Sequence, residues 1–413
     1  MSKPSLLFQY ITDSAELEEL CSHLKVSHRL AIDTEFVGED SFVPKLELIQ
    51  VATETAAAVI DFPAVLASGS LSKFWEVMCN PAIQKVVHAG RQDLDLVAIH
   101  AGQIPKPFFD TQIAAAMLGF GPQVAYANLV QRVHGTRLGK AHTLTNWSSR
   151  PLTQDQLTYA LEDVTFLLGI HDHLHARLTK RGRLSWAIEE FSRLEDAVGE
   201  TRRDPRERYQ RIRGWNQLKP SSAAVLRQLV VWREQEAQRR NVPRGRVMRD
   251  EVLLQLARHP PRRLQDLRAV RGVHVSEVDR HGDSLLAIIQ EALALPPSAW
   301  PEVPKERKPE AESIGLVELL QAVTKARAAE EEVAPTLLAT SADLQALVDT
   351  KTERAMLDLP LLKGWRRLLL GDLLLKILEG KVAVAIDPES RVISRFQLVR
   401  EVERSIPCPK PNS

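Results

Sequence analysis

Leu30, Ile32, Thr34 and Phe36 alternate with Ala31, Asp33 and Glu35 along the stretch RLAIDTEFVGED. Period-two alternation predicts a strand over Leu30–Phe36 with one apolar face. The same reading predicts strands over Leu46–Ala52, Ala57–Asp61 and Lys85–His88, with a helix over Ser72–Met78 between the last two. After His88 the pattern is helical almost throughout. Strands first and helices after predict an α/β fold for residues 1–198.

The pattern then changes. Residues 199–217 are polar and basic with few apolar anchors, and read as a linker. Residues 218–294 are all helical, with an amphipathic helix over Ala223–Arg240 and breaks at Val242-Pro243, Pro260-Pro261 and Gly272. Residues 295–312 hold five prolines and read as a second linker. A last helical unit over 313–400 contains Gly315–Ala329, Ser341–Val348 and the apolar Gly364–Gly380, and residues 401–413 read as a disordered tail. The two helical units have similar lengths, which is compatible with an old duplication; no short tandem repeat is visible.

No apolar run approaches the length of a membrane helix, and the N-terminus lacks an export signal. Three scattered cysteines, Cys21, Cys79 and Cys408, suit a reducing cytoplasm and form no metal-spaced cluster. Cys79 fits a small core position. The net charge of +1 conceals an asymmetry: residues 200–293 carry 20 Lys and Arg, 19 of them arginine, against 12 Asp and Glu. The middle of the chain is therefore +8 and the remainder about −7. A polyanion partner and a solvated helical surface are both consistent with that charge.

Asp33 and Glu35 share one face of the first predicted strand. Two carboxylates this close repel, so a partly buried pair must bind a proton or a cation. Mg²⁺ or Mn²⁺, which take oxygen ligands, would answer that need, and so would a solvated strand end. Farther along, VVHAGRQDLDLVAI ends a strand at His88, turns at Gly90 and opens a helix with Asp93 and Asp95 in its first turns. Leu94 lies between these acids, so only one of them aims at a shared site. In RPLTQDQLTYALEDVTFLL, Thr153 and Gln156 form a capping box. Leu157, Ala160, Leu161, Val164 and Leu168 make the core stripe, and Tyr159 and Asp163 stack four residues apart on another face.

Four acids and a tyrosine thus stand in the order DxE, D, YxxxD. That order, with DTEF, PKLELIQVAT, HAGRQDLD, FFDTQIAAAMLGFG, NWSSRPL and YALEDV, resembles the DEDDy family of 3′→5′ exonucleases, most closely its ribonuclease D branch, over most of residues 8–198. The resemblance implies an RNase H-like fold, a mixed sheet flanked by helices. It implies that Asp33, Glu35, Asp93 and Asp163 hold two divalent ions, Mg²⁺ or Mn²⁺, with Asp33 as the bridge. Tyr159 would orient the attacking water, and nucleoside 5′-monophosphates would leave one at a time. Phe36, His88 and Arg150 are the weaker substrate-contact candidates nearby. Phe36 and His88 also fit packing, as does Trp147. Gln50 and Arg150 occupy family positions. Gly38 stands where the family often carries an arginine, so one substrate contact is expected to be missing.

LRQLVVWREQEAQRRNVPRGRVMRDEVLLQLARHPP and LRAVRGVHVSEVDRHGDSLLAII resemble an HRDC domain, with Val230, Trp232, Val252, Leu253 and Leu256 as core. Arg239, Arg240, Arg244, Arg246 and Arg249 crowd one loop region and are candidates for RNA phosphate contact. GWRRLLLGDLLLKILEG resembles part of a second, divergent HRDC-type domain. The expected protein is a cytoplasmic, monomeric exoribonuclease trimming single-stranded 3′ ends, with transfer-RNA precursors as the implied substrate. A DNA exonuclease with the same metal chemistry is the nearest alternative. A non-catalytic nucleic-acid-binding scaffold predicts loss of at least one of the acids, and all are present.

Overall fold

A computed structural model of the chain describes residues 7–38, 40–139, 145–198, 205–303, 311–350 and 358–398, apart from 391, 392 and 394. The expected tail after residue 400, Cys408 and the middle of the second linker lie outside these residues. The chain divides into two compact units, one of residues 1–109, 137–168 and 193–308 and one of residues 110–136, 169–192 and 309–413.

The first unit is built on a mixed sheet. Its strands are β1 (Leu7–Ile11), β2 (Arg29–Val37), β3 (Lys45–Ala52), β4 (Ala56–Asp61), β5 (Gln84–Val87) and β6 (Phe108–Asp110), in the spatial order β1-β4-β3-β2-β5-β6. β2 pairs antiparallel with β3 and parallel with β5. Neither β1 nor β6 was expected: β1 lies at an edge of the sheet, and β6 is too short for alternation to show.

Leu30 and Ile32 of β2 pack with Leu46, Ile49 and Val51 of β3 against one helical layer. That layer comprises α1 (Ser14–Leu24), α2 (Phe62–Ser68), α3 (Ser72–Met78) and α4 (Arg91–Ala101). Cys79 is half-buried against the same core. Leu48 and Val59 face the other way and pack with Trp147 and Ala160. A bulge lets β3 serve both faces: Glu35 pairs Leu48 and Phe36 pairs Leu46, which leaves Glu47 as the extra residue. Lys85 is fully buried in β5 because its ammonium donates to the carbonyls of Asn80 (3.0 Å), Ile83 (2.6 Å) and Lys106 (2.9 Å). Burial pushes its pKa down to about 8.

Three more helices follow before the all-helical part: α5 (Thr111–Ala116), α6 (Tyr126–His134) and α7 (Gln154–Thr165). The predicted capping box starts α7, with Thr153 accepting from the Gln156 amide and Gln156 from the Thr153 amide. Ala160, Val164 and Leu168 are buried; Leu157 and Leu161 pack at the margin. Next come α8 (Leu167–Lys180) and α9 (Leu184–Ala197).

The helical module of the first unit holds α10 (Pro220–Arg240), α11 (Arg244–Val247), α12 (Asp250–Arg258), α13 (Leu264–Arg268) and α14 (Val275–Ala294). Residues 205–217 of the segment read as a polar linker are part of it. Pro205–Arg211 forms a 3₁₀ helix, and Tyr209 and Ile212 are buried in one core with Leu226, Leu253 and Leu285. Two apolar residues in a run of arginines anchor the segment, a signal that composition hides.

The second unit contains α15 (Ala311–Glu330), α16 (Pro335–Leu338), α17 (Ser341–Asp349) and a closing helix over Gly364–Arg366, Arg367–Gly371 and Asp372–Leu378 whose middle stretch is π-helical. Trp365 stacks on Trp186 at 5.3 Å and donates its indole N–H to Glu190 at 3.0 Å. A two-stranded ribbon, β7 (Val382–Ala385) with β8 (Arg395–Leu398), follows where only helix was expected. Among the described residues no helix is long and apolar enough to cross a membrane.

The two helical runs repeat at an interval of 91 residues. Asn241 and Glu332 both take left-handed φ values, 49° and 51°, at the ends of α10 and α15. Val242 N–H bonds to Ala237 O, and Val333 N–H to Ala328 O. Leu226, Leu229, Ala237, Val247, Leu253 and Leu256 are buried, as are Val317, Leu320, Ala328, Leu338, Leu344 and Leu347.

Candidate active site

Antiparallel pairing with β3 and parallel pairing with β5 hold β2 in the middle of the sheet, so Asp33 and Glu35 project from a rigid backbone. α7 covers the face they point to. One turn of that helix separates Tyr159 from Asp163. One carboxylate oxygen each from Asp33, Glu35 and Asp163 lies within 4.8 Å of the others, and all three residues are half-buried. A segment more than a hundred residues away in sequence thus completes the strand pair.

Asp93 approaches from the other layer, in the first turn of α4. α4 leaves β5 through Gly90, where a Cβ would sit 2.5 Å from the Cβ of Val87; only glycine permits so abrupt a turn. Asp93 Oδ1 accepts a hydrogen bond from the Thr34 hydroxyl at 2.5 Å. Thr34 lies on the strand face opposite Asp33 and Glu35, and its bond to Asp93 was not expected from the sequence. The signal was present: one hydroxyl stands among Leu30, Ile32 and Phe36.

Crowded carboxylates resist ionisation. Burial, then the charges of Asp93, Asp163 and Glu35, holds the Asp33 pKa well above the usual carboxylate range. Burial, Asp163 and Asp93 push Glu35 up to about 8. Burial, Glu162 and Asp93 push Asp163 up to about 7. Tyr159 is raised by burial and by Asp163, Glu35 and Asp33, so its phenol keeps its proton at neutral pH. Its ring lies 6.0 Å from that of Trp147. Asp93 therefore acts on all three clustered acids through its charge, although its oxygens are not among the set within 4.8 Å.

Gln50 pairs across the ladder with Asp33 and is fully buried, and among the described residues neither polar atom of its carboxamide has a hydrogen-bond partner. A buried amide without partners costs about 1–3 kcal/mol, so its place beside the acids marks a site that is not built for stability.

Arg150, expected to touch substrate, is occupied by the protein. Its Nε and Nη2 donate to Asp61, the latter at 3.0 Å, and Nη1 donates to Trp147 O (2.6 Å) and Ser149 O (3.0 Å). Burial opposes ionisation of Asp61, but the bonds from Arg150 and Tyr10 outweigh it and hold the carboxyl below its usual range. This network fixes the loop that carries Trp147. Phe36 and His88 are half-buried near the strand ends.

Four of the five arginines expected to meet phosphate are also partnered. Arg239 pairs with Glu236 (2.6 Å), Arg240 with Glu277 (2.9 Å), Arg244 with Glu234 (2.7 Å) and Arg246 with Asp40. Arg244 also sits 4.4 Å above the Phe42 ring. The loop is basic in sequence, yet four of its arginines are paired, because Glu234 and Glu236 of α10, Glu277 of α14 and Asp40 after β2 meet them.

Known proteins resemble this chain. A 3′-5′ exonuclease family model matches residues 8–179, and an HRDC domain model matches residues 222–289. Ribonuclease D of Granulibacter bethesdensis is 39% identical over 384 residues, covering 91% of this chain and 94% of that protein. Ribonuclease D of Zymomonas mobilis is 41% identical, covering 91% and 95%. The crystal structure of Escherichia coli RNase D, described as an exoribonuclease involved in structured RNA processing, matches with a TM-score of 0.80 at 28% identity, covering 91% of this chain and 99% of that one.

Proposed function

Because this chain belongs to the ribonuclease D family and is a 3′-5′ exoribonuclease, we propose that Asp33, Glu35, Asp93 and Asp163 form the metal-binding centre of its active site and that Tyr159 is its water-orienting residue. The observation that carries this reading is the approach of three carboxylates to within 4.8 Å, each disfavoured as an anion by burial and by neighbouring acids. Such a cluster is costly without a cation, and its all-oxygen donor set fits Mg²⁺ or Mn²⁺. Two bound divalent cations would neutralise charge at the scissile phosphate and acidify an attacking water.

The chain's own residues supply the rest. Tyr159 keeps its proton, so it donates a hydrogen bond and orients water rather than deprotonating it. Thr34 fixes the rotamer of Asp93. The Arg150–Asp61 pair holds the loop under Tyr159 through Trp147. Hydrolysis breaks the bond between phosphorus and O3′ of the penultimate residue, leaving a shortened chain and a nucleoside 5′-monophosphate.

The substrate reading is 3′ ends of structured RNA, transfer-RNA precursors among them, acted on in the cytoplasm. The relative's involvement in structured RNA processing supports it. Residues 313–400 read as a second HRDC-type domain, supported by the 91-residue register of caps and buried positions.

Digestion of 5′-labelled and 3′-labelled RNA, with and without chelator, tests the centre. Stepwise shortening of the first and immediate mononucleotide release from the second are expected, both abolished by chelator. Asp33→Asn and Asp163→Asn are expected to abolish hydrolysis and keep RNA binding; retained turnover refutes the ligand assignment. Faster hydrolysis of a matched DNA 3′ overhang refutes the RNA preference.

A further inference from the structure

The stretch GFG, residues 119–121, ends the FFDTQIAAAMLGFG segment and has no part in the carboxylate centre. In the second unit it lines a cavity of about 510 Å³ with Arg132, Arg177 and the turn after α15. Two guanidinium groups lie over the one ring of Phe120, Arg132 at 5.6 Å and Arg177 at 5.0 Å from its centroid. Each arginine stands in the last turn of its helix, α6 or α8, where the helix dipole favours a cation. The dipole explains why each is basic. It does not explain why both converge on one ring, which brings two like charges together.

Among the described residues neither Arg132 nor Arg177 has a carboxylate partner, and Glu332 across the cavity pairs with Arg181. Gly121 opens the wall: a side chain there would meet nothing within 4 Å. The cavity therefore offers two fork-shaped donors in excess of their counter-ions, beside an aromatic face, in a space the size of a small-ligand pocket. Arginine paired with an aromatic ring suits a nucleotide strand, whose phosphates take the forks and whose base or ribose packs on the ring.

We propose that this cavity is a second RNA-binding subsite, in which Arg132 and Arg177 grip phosphates of the substrate strand over Phe120. It rests on RNA being the substrate and is independent of which carboxylates hold cations, so it is tested in chelator, where no turnover occurs. The full-length chain is titrated with a labelled single-stranded RNA across a range of salt. Arg132→Ala/Arg177→Ala is expected to weaken binding by about tenfold or more and to reduce the magnitude of the salt slope by about 1.4, for two phosphates on a single strand. Arg132→Lys/Arg177→Lys should recover part of the affinity, since charge is kept and the fork lost. In the unaltered protein, bound RNA should protect both arginines from phenylglyoxal, read by mass spectrometry, so a misfolded variant cannot decide the outcome. Unchanged affinity and slope with both arginines unprotected overturns the proposal. Equal protection by inorganic phosphate at matched ionic strength overturns it as well, leaving a small-anion site.

Discussion

Thr34 donates its hydroxyl hydrogen to Asp93, joining the central strand to the first turn of α4. Asp33 and Glu35 point to the α7 side of the sheet, while Asp93 arrives from the opposite layer, whose core buries Leu94. Thr34 is the link across that divide. Thr34→Val keeps the shape and removes the donor. Single-turnover hydrolysis at saturating Mg²⁺ is expected to slow by about tenfold, equivalent to about 1.4 kcal/mol of barrier, with stability within about 1 kcal/mol of the parent. An unchanged rate would show that Asp93 needs no such anchor.

The crowded acids should make the chelated protein less stable as pH rises. Glu35 moves from an ordinary 4.5 to about 8 and Asp163 from 3.8 to about 7, so the folded state holds protons that the unfolded state has released. Raised folded values give stability that is full below the unfolded pKa and lost as pH climbs through the folded one. Between about pH 5 and about pH 8, chemical denaturation in chelator should lose on the order of 6 kcal/mol. Added Mg²⁺ should raise Tm more at the upper end, where protons no longer compete for the oxygens.

Tyr159→Phe removes only the phenolic oxygen. The ring keeps its place against Trp147, 6.0 Å away, so folding should be little affected. Hydrolysis is expected to fall by about 100-fold, the scale of a mispositioned reactant, while Mg²⁺ affinity measured by calorimetry stays the same. Equal activity would remove the orienting role.

In the second unit, Glu190 takes two hydrogen bonds from Arg366 and one from the Trp365 indole, and both charged side chains are largely buried. Removing one charge of such a pair strands the other. Glu190→Gln should cost about 3–5 kcal/mol in chemical denaturation, far more than a comparable change at an exposed pair such as Arg268–Asp279.

Period and punctuation were enough to read β2 to β5, α3 and the start of α7, because each carries its pattern in consecutive residues. Phe108–Asp110 offers three residues and no period. Residues 205–212 hide two core residues in a basic run, so composition misled. The basic loop was legible as charge but not as charge already paired, since Glu234, Glu236, Glu277 and Asp40 reach it only after folding.

The order of residue types alone determined the family and the α/β-then-helical layout, and it singled out the acids Asp33, Glu35, Asp93 and Asp163 with Tyr159 proposed above as the active centre, because helix and strand periods are local and the motif order is unusual. Tertiary structure decided the rest. Three acids share one small volume, Asp93 is tied to Thr34, Gln50 is buried without a partner, and Arg132 and Arg177 meet over Phe120. Those relations join residues far apart in the chain, and distance and burial, which set their electrostatics, exist only once the sheet and its helices have closed around them.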